Sequence, residues 1–286
     1  MTVGYDHASC APLTLAVTSG KGGVGKSNLT LNLAVHWASL GRRVLVFDAD
    51  LALANIHMLL GLSPVLTLTD CLKGRASLEE IVLSTPEGLD ILPAGSGDLA
   101  AIDVPDGVRE MLIDQTSSLV MGYDIMLVDT AAGLTGNVLS FASACSETLV
   151  VTTPDPTALG DAYAMMKLLF RQRARHRARL AVNMTVDDGS GAKAVRGLQA
   201  AAKRFLERDV ECAGAVPFDP LVGVSVRRQQ PFVKLFPRCA ASRGLRSLAG
   251  KLDGAVLRTR NDQTSWRRRL ADMVFGHAQG VGANNG

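Results

Sequence analysis

The sequence predicts an α/β fold: a mostly parallel, twisted sheet with helices on both faces, plus a separate C-terminal amphipathic helix. Three observations predict it. Short, continuous apolar runs recur along the chain, segments of helical periodicity fall between them, and the strand pattern stops well before the C-terminus. Strands that are apolar throughout belong to a sheet covered on both faces, and alternation with helices gives parallel pairing. The 286 residues, 47% hydrophobic and 20% charged, suffice for one large core and exclude a disordered chain.

Taken in order, residues 1–12 form a short N-terminal tail, and 13–19 (LTLAVTS) read as the first strand. Leu29, Leu33, Val35 and Trp37 recur at near-helical spacing over 27–40. Residues 43–47 (RVLVF) are a second strand, and further strands are expected at 89–92, 124–128, 147–152, 179–183 and 211–216. Helices are expected near 106–121, 136–145, 157–174 and 192–207. After about residue 216 a helical stretch follows over 220–252, so that 13–252 make one domain. The polar stretch 253–263 reads as a linker, 264–275 (TSWRRRLADMVF) as a short helix, and 276–286 as a disordered tail.

Composition narrows the partners. The formal charge is only +3 and aromatics are 5% of residues, which argues against a stacking platform for single strands and against specific DNA binding. No apolar run reaches the roughly 18 residues of a transmembrane helix. The N-terminus, MTVGYDHASCAP, shows no basic patch followed by an apolar stretch, so no secretory signal is visible. Cys10, Cys71, Cys145, Cys212 and Cys239 lie far apart with no CxxC, a pattern of idle thiols in a reducing cytoplasm that argues against an iron–sulfur or zinc site.

The chemistry concentrates in Gly20-Lys21-Gly22-Gly23-Val24-Gly25-Lys26-Ser27, which satisfies G-x-x-x-x-G-K-[ST] between a strand and a helix. Glycines let backbone N–H groups curl around an anion, and the following helix points its positive end at it. Lys26 should reach the β- and γ-phosphates of a nucleotide and Ser27 should ligate Mg²⁺. With Asn28, residues 20–28 are the candidate phosphate-binding set. Lys21 is an extra lysine, either a solvated charge or a second cation for dense negative charge. Asp48 and Asp50 end the second strand at the carboxyl edge, where ligands of open α/β folds sit, and one of them can position an attacking water. Asp129 closes the apolar run Ile125–Val128, the Walker B pattern of a Mg²⁺-associated carboxylate. Thr130-Ala131-Ala132-Gly133 are small residues suited to a moving loop.

These residues resemble the MinD/ParA class of P-loop ATPases, whose deviant Walker A motif carries a signature lysine at the place of Lys21. The resemblance covers about residues 13–252 and is greatest to the FlhG (FleN) branch, which regulates flagellar number and placement. It is carried by residues 20–64, and by DTAAGLTGNVLSFASAC, VVTTPDPTALGDAYAMMKLL and VRRQQPFVKLFPRCAASRGLRSLAGKL. It implies a MinD-like P-loop fold, slow Mg²⁺-dependent hydrolysis of ATP, and an ATP-bound face-to-face homodimer. In that scheme Lys21 reaches the partner's phosphates while Lys26 serves its own. Asp50 orients the hydrolytic water, and Asp48 and Asp129 support Mg²⁺ through its water shell. Asn55 and Asp161 would be dimer contacts, Asp161 meeting the signature lysine of the other copy. Asn183 would read adenine, with Pro217 and Asp219 in a second adenine-side loop. The implied partners are an anionic membrane surface, FlhF, a FliM/FliN-type switch component and a FleQ-type regulator, and the implied place is the cytoplasmic face of the cell membrane. A ParA-like DNA segregation ATPase or a MinD-like septum-site regulator would use the same switch. Ala131 stands where MinD usually has proline, which favours the FlhG branch. No DQAxxLR-like activator segment precedes the domain, so control of FlhF through such a segment is not implied.

Trp266, Leu270, Met273 and Val274 fall at i, i+4, i+7 and i+8, with Arg267, Arg268 and Arg269 beside them and Phe275 at the end. Such a basic amphipathic helix lies in an anionic headgroup region, or else docks on protein. The resemblance to MinD-class tails favours the membrane, and two such helices in a dimer would bind through avidity. The arginine-rich run Arg171–Arg179 is either a solvated helix end or a contact for DNA phosphates or an acidic partner.

Overall fold

The computed structural model describes residues 12–50, 56–93, 95, 115–116 and 118–256. In chain order the elements are β1 (Leu13–Ser19), α1 (Lys26–Ser39), β2 (Val44–Ala49), α2 (Leu68–Leu72), α3 (Leu78–Ile81), β3 (Leu83–Ser84), β4 (Asp90–Pro93), β5 (Ile125–Ala132), α4 (Gly136–Ala144), β6 (Glu147–Thr152), α5 (Pro156–Gln172), β7 (Arg177–Thr185), α6 (Asp188–Leu206), β8 (Glu211–Pro217), α7 (Pro220–Arg227), α8 (Phe232–Leu235) and α9 (Ala240–Val256). The strands make one eight-stranded sheet in the order β3-β4-β2-β5-β1-β6-β7-β8. All neighbours are parallel except β3 with β4. The expected α/β fold, with helices on both faces of a mostly parallel sheet, is therefore the observed one.

Strand β5 explains why its residues are apolar without alternation. Ile125 and Leu127 enter one core with Leu29 and Trp37 of α1, Phe232 of α8, and Leu245 and Leu248 of α9. Met126 and Val128 enter the opposite core with Phe141 of α4 and Met165, Met166 and Leu169 of α5. Each such side chain contributes about 1.5–3 kcal/mol by leaving water. Because β1 lies between β5 and β6, the loop after β1 opens at the middle of the sheet's carboxyl edge.

Several expected boundaries move. Strand β5 runs through Thr130, Ala131 and Ala132, paired with β1 and β2, so only Gly133, at φ +107°, begins the turn. The expected helix over 220–252 is three helices. Pro231 and Pro237 lack the N–H that would continue a helix, and Gln229 is left-handed at φ +52°. Residues 253–256 continue α9 instead of opening the linker. The short elements α2, α3 and β3 had no counterpart in the sequence reading. Asn55, Cys10, most of the helix expected over 106–121, and the helix over 264–275 with Trp266, Arg267, Arg268, Arg269, Leu270, Met273, Val274 and Phe275 lie outside the described residues.

Candidate functional site

The loop Gly20–Gly25 joins the buried end of β1 to the first turn of α1. Gly25 is the N-cap of α1 at φ +87°, and a Cβ there would strike the Asn183 side-chain amide. A Cβ on Gly20 would sit 2.5 Å from the Asp161 carbonyl oxygen, so α5 closes against the loop's start. Glycine at these two positions is thus dictated by backbone sign and by close approach. The Asn183 amide donates to the Val24 carbonyl at 2.8 Å and ties β7 to the crown of the loop. The next residue, Met184, is held at φ +56°, and with Val186 it lines an open cleft of about 410 Å³ beside Lys21, Gly22, Gly23 and Val24.

Lys26 and Lys21 occupy different surroundings. The Lys26 side chain is 8% exposed and its Nζ lies 3.8 Å from Asp129 Oδ1. Lys21 is 41% exposed at the rim, where its Nζ donates to Asp155 Oδ2 at 3.0 Å and to Thr157 Oγ1 at 2.5 Å. Asp155 is also the N-cap of α5, accepting from the Thr157 N–H through Oδ1. The Lys21 ammonium and these N-cap hydrogen bonds hold the Asp155 carboxyl below the ordinary range.

The acidic residues gather at the carboxyl edges of β2 and β5. Asp48 and Asp129 are register partners and both are fully buried. The Asp48 Oδ2 accepts from the Ile56 N–H at 3.0 Å. Asp129 Oδ1 accepts from Thr30 Oγ1 at 3.0 Å, and Thr30 lies one helical turn beyond Lys26. Burial raises the Asp129 carboxyl above its ordinary range, outweighing Lys26, the Ser27 hydroxyl and Thr30, while Asp50 adds to the rise. Ser27 and Asp50 therefore both lie within reach of Asp129.

The other sequence candidates divide. Asn28 sits in the first turn of α1, and its carbonyl accepts from Asn32 Nδ2 at 2.8 Å. Asp161 lies on α5 with its backbone against Gly20, and the acid that holds this chain's own Lys21 is Asp155, six residues earlier. Pro217 ends β8 beside α9. Asp219 caps two helices: Oδ1 accepts from Leu221, and Oδ2 accepts from Ala240 at 2.8 Å and Ala241 at 3.4 Å. Burial pushes its carboxyl up, but these N–H groups pull it below the ordinary range. Sequence reasoning missed Thr30, Asp155, Thr157, Met184 and Val186. Thr30 alone carried a local signal, the i+4 spacing from Lys26.

The arginine run is largely absorbed by the fold. Arg179, buried, pairs with Glu147 at 3.1 Å and donates to the Lys251 carbonyl at 2.9 Å. Arg177 pairs with Glu147 at 3.5 Å, and Arg173 donates to the carbonyls of Ser143 and Cys145. Cys71 is buried and its thiol is pushed up to about 12, chiefly by that burial, so it is inert at neutral pH.

A nucleotide with Mg²⁺ fits this arrangement. Asp129 Oδ2 is buried with no hydrogen-bond partner among the described residues. One such carboxylate oxygen suits Mg²⁺, which keeps several waters and takes few protein ligands plus substrate phosphates. The CobQ/CobB/MinD/ParA nucleotide-binding domain matches residues 15–232. The chain belongs to this MinD/ParA family. It is 40% identical over 239 residues to the antiactivator FleN of Pseudomonas aeruginosa, covering 84% of this chain and 85% of FleN. It is 32% identical over 241 residues to the flagellum site-determining protein YlxH of Helicobacter pylori, covering 83% and 81%. The septum site-determining protein MinD complexed with Mg-ADP from Pyrococcus horikoshii is similar in fold, with a TM-score of 0.70 and 29% identity over 85% of this chain and 97% of that one. The greater resemblance to FlhG (FleN) within the class agrees with these likenesses.

Proposed function

We propose that the protein is an ATP-dependent dimerisation switch that hydrolyses ATP slowly and regulates flagellar number and location from the membrane surface. The observation that carries this reading is the placement of the two loop lysines. Lys26 is buried against Asp129, as the cation of its own phosphate site, whereas Lys21 stands at the rim. A rim ammonium can leave an exposed carboxylate for a second polyanion. Two triphosphates at a shared interface need that added positive charge, which couples assembly to nucleotide state. The name of the YlxH relative, a flagellum site-determining protein, supports the flagellar role, and that of the FleN relative, an antiactivator, supports a regulatory one.

In this reading Gly20–Gly25 offer backbone N–H groups to the phosphates, Ser27 and Asp129, with Asp48 behind it, hold the metal's surroundings, and Asp50 aligns the water. Mg²⁺, when bound, neutralises charge on the β- and γ-phosphate oxygens. Asn183 and the loops carrying Pro217 and Asp219 border the base, with Met184 and Val186 at the cleft wall. The segment 264–275 attaches the dimer to anionic lipid, and the partners are flagellar assembly proteins or their regulator.

The experiment is light scattering and ATP turnover on the full chain. ATP should give a dimer and ADP a monomer. Lys26→Ala should lose ATP binding, and Asp50→Ala should keep binding, stop turnover and remain dimeric. Normal hydrolysis by Asp50→Ala, or a catalytically competent ATP-bound monomer, overturns the mechanism. Removal of residues 264–286 should abolish vesicle binding and leave dimerisation intact; nonspecific duplex binding in ATP without need of that segment would favour the ParA-like role instead.

A further inference from the structure

The charge of the chain is unevenly folded. Residues 220–252, the segment of α7, α8 and most of α9, hold seven Lys and Arg and no Asp or Glu. The other 253 residues hold 23 Lys and Arg against all 27 Asp and Glu. A weakly acidic body thus carries one acid-free basic segment.

The structure gives that segment a surface. Helix α9 buries Ala241, Leu245, Leu248, Ala249 and Leu252 against the sheet and α1. Its outward stripe is Arg243, Arg246, Ser247, Gly250 and Lys251, about 12 Å along the helix axis. Arg243 donates to the Arg238 carbonyl and Arg246 to the Pro237 carbonyl, which holds two guanidinium groups against the turn that starts α9, where Arg238 is itself exposed. Each guanidinium keeps further N–H donors for a ligand. Lys234 is paired with Glu87, but Arg238, Arg243, Arg246 and Lys251 make no ion pair among the described residues.

We infer that this stripe is a second membrane-contact surface, which lays the basic side of α9 on anionic lipid headgroups. The inference rests on the membrane attachment proposed above and adds a folded partner to it. Covalent geometry supports lipid as the occupant. Only residues 257–263 separate the end of α9 from the segment 264–275, so that segment starts within roughly 30 Å of the helix end. A tail held at a surface keeps α9 beside the same surface, where each basic side chain within a Debye length strengthens attachment up to about fivefold. The small residues Ser247 and Gly250 leave the stripe free of bulk between its charges.

The test is co-sedimentation of the full chain, loaded with ATP, with phosphatidylcholine vesicles and with vesicles that also contain phosphatidylglycerol. The parent should bind only the latter. Arg238→Gln/Arg243→Gln/Arg246→Gln should weaken that binding at least about tenfold and flatten its salt dependence. Lys251→Glu, whose side chain forms no hydrogen bond among the described residues, should weaken it as well and keeps the inference testable if the triple variant misfolds. Both should retain solution ATP turnover. Unchanged vesicle affinity in folded variants overturns the stripe alone. A parent that binds no vesicles overturns the stripe and the membrane part of the proposed function together. Variants that lose binding to duplex DNA while keeping vesicle binding also overturn it, and assign the stripe to phosphodiester backbones.

Discussion

Asp129 is a carboxylate kept where its charge is costly, which supports the metal-side role proposed for it. Burial raises its pKa even with Lys26, Ser27 and Thr30 beside it. A raised folded-state pKa means that the ionised carboxylate destabilises the empty fold at neutral pH. The penalty disappears as pH falls through the raised pKa toward the ordinary carboxylate range. Asp129→Asn should therefore raise the thermal midpoint of nucleotide-free protein at neutral pH and abolish Mg²⁺-dependent turnover. Calorimetry across pH checks the sign: the gap should narrow in acid. Asp155 gives the complementary case. Its carboxyl is stabilised by Lys21, so the pair is intact above the lowered pKa and is lost as pH falls through it. Asparagine is as good an N-cap as aspartate, so Asp155→Asn removes the ion pair while sparing the start of α5. If the pair competes with assembly, the variant should dimerise at about two- to fivefold lower ATP concentration, the modest effect expected of an exposed pair. A requirement for more ATP would mean that Asp155 serves the dimer and not the free chain.

Among the elements, helix starts hold most of what the chain encodes locally. Asp155-Pro156 and Asp219-Pro220 each place a capping carboxylate before a proline at the first helical position. Asp219 goes further, because its second oxygen serves the first N–H groups of α9. Asp219→Ala should cost about 2 kcal/mol, the upper range for one cap, and lower the urea midpoint without changing the slope. Strands β1, β2 and β4 to β7 were legible because parallel pairing and burial on both faces demand continuous apolar runs, and the edge strand β8 was legible from its own short apolar run despite partial exposure. Helices α2 and α3 were not, since five and four residues carry no periodicity, although Thr67 with Asp70 and Ser77 with Glu80 form capping boxes that could have marked them. The phosphate loop was legible because its chemistry is contiguous. The partner of Lys21 was not: Asp155 lies 134 residues away, and Asp161 on the same helix was an equally good acid from sequence. The double cap of Asp219 was half legible, since Asp219-Pro220 marks the start of α7 while nothing local shows that the second oxygen serves α9.

Across the whole molecule, α1 ties the phosphate loop to the end of the described chain. It begins at Lys26, and near its other end the Trp37 indole N–H donates to Asp253 on the last turns of α9 at 2.8 Å. Arg179 holds the neighbouring turn through the Lys251 carbonyl. These two contacts fasten the end of α1 to the last turns of α9, so in the proposed switch nucleotide state would reach the C-terminal segment through assembly alone, without a moving lever. This sets two ligands apart by mass action. ADP bound to a monomer should raise the thermal midpoint by an amount set by ligand concentration only, about 2.7 kcal/mol of stability at a hundredfold excess over Kd. ATP bound to Asp50→Ala, which cannot turn over, should raise it further, by an amount that grows with protein concentration, because unfolding must then also separate two chains. Thermal scans over a wide range of protein concentration at fixed saturating nucleotide measure the difference. Parallel midpoints for ATP and ADP would mean that the second chain adds nothing to the triphosphate complex, and the role given to Lys21 would fall with it.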